Sequence, residues 1–274
     1  MKIYIMTDQE GVAGVINSQD YAAPGARCYE KACELLTLEV NAAIEGAIEA
    51  GAEEFLVVDG HGHGSIEPGL LHPRARLLAG RPIGYPFGCD ETFDAAFTIG
   101  QHAKANTDGG HLCHTGSFEV EDLRINGISV GELGCNALFM GWYGVPLILF
   151  TGDKAGCEEA EALIPNIVTV AVKEGLKRGS ATGLTGEEAR LYNGAAIHLA
   201  PEEARRRIRE AAAEAIRRRH EVKPFRLDPP YVLESILRPQ RRGEPMRRAV
   251  VRADDPIELL RAPRIHEVMA TEAS

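Results

Sequence analysis

Asp8 and Glu10 stand two residues apart in MTDQEG, where a short apolar run gives way to glycine. If extended backbone persists through them, side chains at i and i+2 share a face, and the two carboxylates come close together. Such a pair repels unless a cation compensates it, so a divalent metal site is one account of the spacing. For an isolated D-x-E, a turn or a helix N-cap is the more economical account. The histidines shift that balance. Six of the nine, His61, His63, His72, His102, His111 and His114, fall between positions 61 and 114. Imidazole with carboxylate suits Zn²⁺, with Mn²⁺ or Co²⁺ as alternatives, and the lack of a CxxC pair argues against a four-cysteine structural site. Asp8, Glu10, His61 and His102 all follow candidate strands, which makes metal binding the better reading of the four together. Glu132, in GELGCNA, reads from spacing alone as a helix first-turn acid favoured by the dipole. Asp59 and Asp153 also end strands, so the chain offers more acids than a two-metal site needs.

These residues need elements that bring them together. Residues 2–7 (KIYIMT) read as a strand ending at Asp8. Residues 29–50 carry Leu36, Val40, Ile44 and Ala47 near helical period, and Gly51 stops this amphipathic helix. Residues 54–59 (EFLVVD) form a strand that opens into Gly60, His61, Gly62 and His63. Residues 95–99 (AAFTI) repeat the pattern into Gly100, Gln101 and His102. Ligands of open α/β sheets bind at the carboxyl ends of the strands, so these three endings can converge. The Asn126-Gly127 pair in FEVEDLRINGISV signals a hairpin. A helix over 131–143, a strand over 146–151, a helix over 155–163 and a strand over 167–172 follow. From about Thr185, which forms a capping-box pattern with Glu188, the chain turns to charged helices. In 201–220 arginines alternate with glutamates, as on a solvated face. Residues 224–230 read as a linker into strands over 231–237 and 247–251. The expected fold is α/β: a mixed, largely parallel sheet flanked by helices, with an inserted hairpin and a smaller helix-rich C-terminal part. The expected division is a metal-binding core over 1–183 and a helical and strand-containing portion over 184–274, within one domain or beside it.

A chain of 274 residues with 45% hydrophobic content can bury a full core. Its net charge of -10 and pI near 5.4 exclude nucleic acid as the main partner, because phosphate binding needs a basic surface, and they do not favour acidic substrates. No apolar stretch approaches the roughly 18 residues of a membrane span, and MKIYIMTDQEG turns acidic before a signal sequence could form. A cytoplasmic location is expected, with no membrane partner. The six cysteines are irregularly spaced, as reduced thiols are. No G-x-S-x-G elbow, P-loop or G-x-G-x-x-G occurs, and GHGHG at 60–64 places histidines where phosphate loops use small residues. Neither a serine nucleophile nor a nucleotide cofactor is expected.

Five segments in order, TDQEGVAG at 7–14, DGHG at 59–62, GQHAKA at 100–105, HTGSF at 114–118 and VGELGCNA at 130–137, resemble the bacterial zinc D-aminopeptidases. The similarity extends from Met1 to about Val172, through GVPLILFTGD and EALIPN, and weakens in the last third. The resemblance implies two zinc ions per subunit, with Asp8 bridging both and Glu10, His61, His102 and Glu132 completing the ligands. Which ion each of the four holds stays open. It also implies a catalytic histidine at His114, which the family uses as a nucleophile. This chain carries one extra residue between His102 and His114, with His111 nearby, and His63 takes no family role. Metal-activated hydroxide already supplies a nucleophile, so His114 is expected as general acid or base, or as donor to the oxyanion. The implied activity is aminopeptidase cleavage of small D-amino-acid peptides such as D-Ala-D-Ala. The implied assembly is a homo-oligomeric ring, a decamer, that encloses the active sites. Two alternatives stand beside it. One is a binuclear amidohydrolase or phosphoesterase acting on another small molecule. The other is a binding protein for peptide import, which the lack of a signal peptide and lipoprotein cysteine disfavours.

Overall fold

In the computed structural model, which describes residues 1–269, KIYIMT becomes β1 (Lys2–Thr7), buried from Ile3 onward. It lies near the middle of a seven-stranded sheet with β2 (Glu54–Val58), β3 (Ala75–Leu78), β4 (Ala95–Gln101), β7 (Leu147–Asp153), β8 (Val168–Gly175) and β9 (Ala196–His198). The spatial order is β3-β2-β1-β4-β7-β8-β9, and all neighbours are parallel except β9, which runs against β8. β4 and β7 are buried at every residue, as continuous apolar strands of a covered parallel sheet should be.

Helices fill several of the connections: α1 (Ser18–Tyr21) and α2 (Tyr29–Glu49) after β1, α3 (Glu132–Trp142) before β7, α4 (Lys154–Leu163) before β8, and α5 (Gly186–Tyr192) before β9, whereas β2, β3 and β4 are joined without a helix. α6 (Pro201–Arg218) packs along α2 and against β7 and β8. The two helices cross closely at Gly46, where a Cβ would lie 2.0 Å from the Arg209 carbonyl oxygen. α6 buries Ala204, Ile208, Ala212, Ala215 and Ile216, while Arg206 and Arg218 pair with glutamates one turn away on the exposed face, as the charge alternation predicts.

The NG hairpin forms as expected, with Asn126 at φ 50° between β5 (Val120–Ile125) and β6 (Ile128–Ser129). It is the edge of a second, antiparallel sheet completed by β10 (Tyr231–Leu237), β11 (Arg247–Ala253) and β12 (Glu267–Val268), in the order β12-β11-β10-β5-β6. The last third of the chain therefore supplies β9 to the first sheet and three strands to the second, and α7 (Pro256–Arg261) packs on α3, β10 and β11. The join is reinforced by Arg238, 2% exposed at the end of β10. It pairs with Glu121 at 2.5 Å and donates to the carbonyls of Phe118 and Ala181 at 3.0 and 2.6 Å and to Asn106 Oδ1 at 2.8 Å. All six cysteines are free thiols. Among the described residues, no helix is long and apolar enough to cross a membrane.

Candidate metal centre

Three adjacent strands end at one point. β1 delivers Asp8 and then turns through Glu10, β2 opens through Asp59 and Gly60 to His61, and β4 delivers His102. The ends of β1 and β4 are pressed together. Asp8 N–H donates to Ile99 O at 2.9 Å and Gly11 N–H to Gly100 O at 2.7 Å. Gly100 has φ +76°, and a Cβ there would fall 2.3 Å from Asp8 O, while a Cβ on Gly11 would fall 2.2 Å from Gln101 O. No larger residue permits this approach. Glu132 begins α3, and the loop after β4 brings in His114.

The side chains converge as the spacing suggested. His61 Nδ1 lies 3.2 Å from Asp8 Oδ1 and 3.0 Å from Glu10 Oε2. His102 Nε2 lies 3.1 Å from Asp8 Oδ2 and 3.5 Å from Glu132 Oε1, and His114 Nε2 is 3.9 Å from the same Glu132 oxygen. Two groups result, Asp8 with Glu10 and His61, and His102 with His114 and Glu132, each with its donor atoms within 4.8 Å of one another. Asp8 turns one oxygen to each group.

The donor set fits metal ligation. Each histidine fixes its remote nitrogen on a backbone carbonyl at 2.8 Å: His61 Nε2 on Ala22, His102 Nδ1 on Ala103 and His114 Nδ1 on Leu112. A carbonyl only accepts, so those nitrogens carry hydrogen and the other ring nitrogen of a neutral imidazole turns a lone pair to the carboxylates. Glu10 Oε2 and His102 Nε2 are buried without any hydrogen-bond partner, although charged groups lie close by. Buried polar atoms left without a partner beside groups of opposite charge are placed as ligands around a shared centre are.

The electrostatics agree. Burial alone would lower the pKa of His61, but the Glu10 and Asp8 carboxylates push it up to about 12. For His102, burial is likewise outweighed by Glu132 and Asp8, which hold it well above the usual imidazole range. Burial would raise Glu10 and Glu132, but the histidines hold both well below the usual carboxylate range. Divalent cations can supply the positive charge that these imidazole protons otherwise supply. His114 differs: burial and then the charge of His102 lower its pKa. Its ring is stacked between His102 at 3.9 Å and Phe118 at 4.4 Å.

One residue escaped the sequence reasoning. Gln101 Nε2 donates to Asp8 Oδ2 at 2.6 Å and to Glu132 Oε2 at 3.0 Å, orienting both carboxylates. An uncharged amide carries no ligand signature, and only its place between a strand end and His102 hinted at a role. Other candidates have structural duties. Asp59 accepts the Ser65 N–H at 2.7 Å and shapes the glycine-rich turn. Asp153 caps α4 through Gly156 N–H at 2.9 Å and accepts His111 N–H at 3.0 Å. His111 Nε2 bonds Ile16 O at 3.0 Å, and its pKa is lowered to about 2 by burial and then by Lys173 and His198. It joins neither ligand group, whereas His114 does. His72 accepts the Arg74 N–H at 3.2 Å, and His63 is exposed at the cavity wall. The cavity measures about 810 Å³, with Met6, Tyr85 and Phe87 as its apolar wall and Glu119, Glu187 and Arg190 among its polar lining. That size suits a small ligand.

Comparison with known proteins adds to this geometry. The D-aminopeptidase family model matches residues 1–247. The chain is 36% identical over 233 residues to a D-aminopeptidase of Bacillus subtilis (strain 168), spanning 84% of this chain and 78% of that one. Its structure is similar to that of the Zn-dependent D-aminopeptidase DppA from Bacillus subtilis, a self-compartmentalizing protease. The TM-score is 0.82 at 30% identity, over 95% of this chain and 94% of the other.

Proposed function

The chain belongs to the D-aminopeptidase family and is a metallo-aminopeptidase, and from that premise we propose that it uses two zinc ions to release the N-terminal residue of small D-amino-acid peptides, D-Ala-D-Ala among them. The observation that carries the binuclear assignment is Asp8, with one oxygen toward Glu10 and His61 and the other toward His102 and Glu132. Asp8, between the two groups, and Glu10, His61, His102 and Glu132 would hold the ions. Mn²⁺ and Co²⁺ suit the same donors. When bound, the ions supply Lewis acidity toward the scissile carbonyl and a water acidified toward neutral pH.

The chain's own residues supply the rest. Gln101 fixes the orientation of Asp8 and Glu132. His114 turns Nε2 toward the centre, held there by Leu112 O and the two stacked rings, so it can take at Nε2 the proton that the attacking water gives up and return it to the leaving amine. A second reading has support in one observation: His114 Nε2 falls within the same donor group as His102 and Glu132, as a sixth ligand would. We further propose a homo-oligomeric ring, a decamer, that encloses the cavities, by analogy with the self-compartmentalizing DppA. The free thiols suit the reducing cytoplasm.

The decisive experiment measures zinc in purified protein and follows D-Ala-D-Ala, L-Ala-L-Ala and a phosphoester before and after chelation. Two zinc ions per chain are expected, with D-peptide cleavage lost on chelation and restored by zinc. Full activity in metal-free protein overturns the proposal, and cleavage of the phosphoester alone replaces it with a phosphoesterase.

A further inference from the structure

The cavity is lined by five carboxylates, Asp8, Glu10, Glu132, Glu119 and Glu187, but by a single guanidinium, Arg190, and by no lysine. Arg190 lies in the last turn of α5, is exposed, and makes no ion pair or hydrogen bond among the described residues. Its neighbours differ. Arg242 takes Glu188 of the same helix at 2.5 Å, and Arg178 takes Asp108 at 2.5 Å. α5 is held firmly at the cavity. Thr185 and Glu188 close a capping box at its start, and Gly186 packs so tightly on Glu119 that a Cβ would lie 2.1 Å from Glu119 Oε1.

We propose that Arg190 binds the terminal carboxylate of the peptide substrate, so that the cavity selects short peptides with a free C-terminus. This rests on the aminopeptidase reading. Such a peptide is a zwitterion whose amino end lies at the metal centre, because the scissile carbonyl is next to it. Its carboxylate end is repelled by Glu119 and Glu187 and meets one complementary group, a guanidinium whose planar fork matches a carboxylate and which no acid among the described residues has claimed. A carboxylate held by Arg190 orients the peptide in one direction and disfavours chains that continue past it.

The test compares D-Ala-D-Ala with its C-terminal amide on zinc-loaded full-length enzyme, as wild type, Arg190→Met and Arg190→Lys. Wild type is expected to prefer the free acid. In Arg190→Met, kcat/KM for the acid falls roughly 10- to 100-fold, mainly through KM, as for the loss of a charged hydrogen bond. The amide stays within about twofold, zinc content is unchanged, and Arg190→Lys keeps part of the preference. Equal loss on both substrates, or no loss on the acid, overturns the assignment. A wild type indifferent to amidation overturns it too, while leaving the aminopeptidase intact. If zinc-loaded wild type cleaves neither, the aminopeptidase reading fails and the carboxylate subsite fails with it.

Discussion

His61 faces the carboxylates with Nδ1, whereas His102 and His114 use Nε2, and the backbone carbonyl that each ring reaches decides which. This gives His114 a clean test. If it moves protons, His114→Ala keeps two zinc ions per chain while kcat falls by roughly 10²- to 10⁴-fold. A drop to one zinc makes it a ligand, and an acyl-enzyme trapped by rapid quenching in wild type but not in the variant makes it a nucleophile. Gln101→Leu removes the two hydrogen bonds that orient Asp8 and Glu132, so zinc affinity measured by competition with a chelator should fall about 10- to 100-fold. An unchanged affinity would show that the carboxylates need no orienting amide. At this scale the sequence was legible where a strand end carried a candidate ligand, as at Asp8, His61 and His102, which the fold brings together. Glu132 was legible only as a helix-start acid, which it also is, since it opens α3. Its role depends on a distance to His102 that no local pattern encodes.

Among the elements, the turn that carries Glu10 is held from two sides. Lys173 on β8 donates to the Glu10 carbonyl and, at 3.1 Å, to that of Val15, while Glu39 on α2 accepts the Ala13 N–H at 3.0 Å. Burial raises the Glu39 pKa to about 7, against the Ala13 hydrogen bond and the charges of Lys173 and Arg205. A carboxyl raised in the fold favours folding while it is protonated. Its contribution is therefore complete below the ordinary 4.5 and is lost as pH rises to about 7, some 3 kcal/mol in all. Urea unfolding at several pH values should show this decline, and Glu39→Gln should flatten it; an equal decline in the variant would place its source elsewhere. Arg238 makes a second test. Arg238→Met leaves Glu121 buried and unpaired, which should cost about 3–5 kcal/mol of unfolding free energy. It also frees Phe118, the ring stacked on His114, so kcat should fall with zinc retained. Long periodic elements such as α2 and α6 were legible. β3 (ARLL) and β9 (AIH) were not, because short edge strands with half-buried residues carry too few alternations to register.

For the whole molecule, alternation marked β5, β10 and β11 as strands but said nothing of their partners, so the second sheet could not be read. β5 pairs with β10 from far along the chain, and a hairpin that read as an insertion proved to be a sheet edge. Assembly has its own measurement. Light scattering behind gel filtration should give a multiple of the 29.7 kDa chain mass, and a monomer would refute the ring. The placement of β4 between β1 and β7 governs how the enzyme is made. Asp8 leaves the ribosome long before Glu132, and in the proposed site the two could hold a common ion only once β4 has taken its place in the sheet beside β1. The nascent chain therefore offers zinc no finished site through the first part of its synthesis. On that proposal metal supply would act on a sheet already formed, and zinc starvation in a cell should yield folded, inactive protein rather than degraded chains.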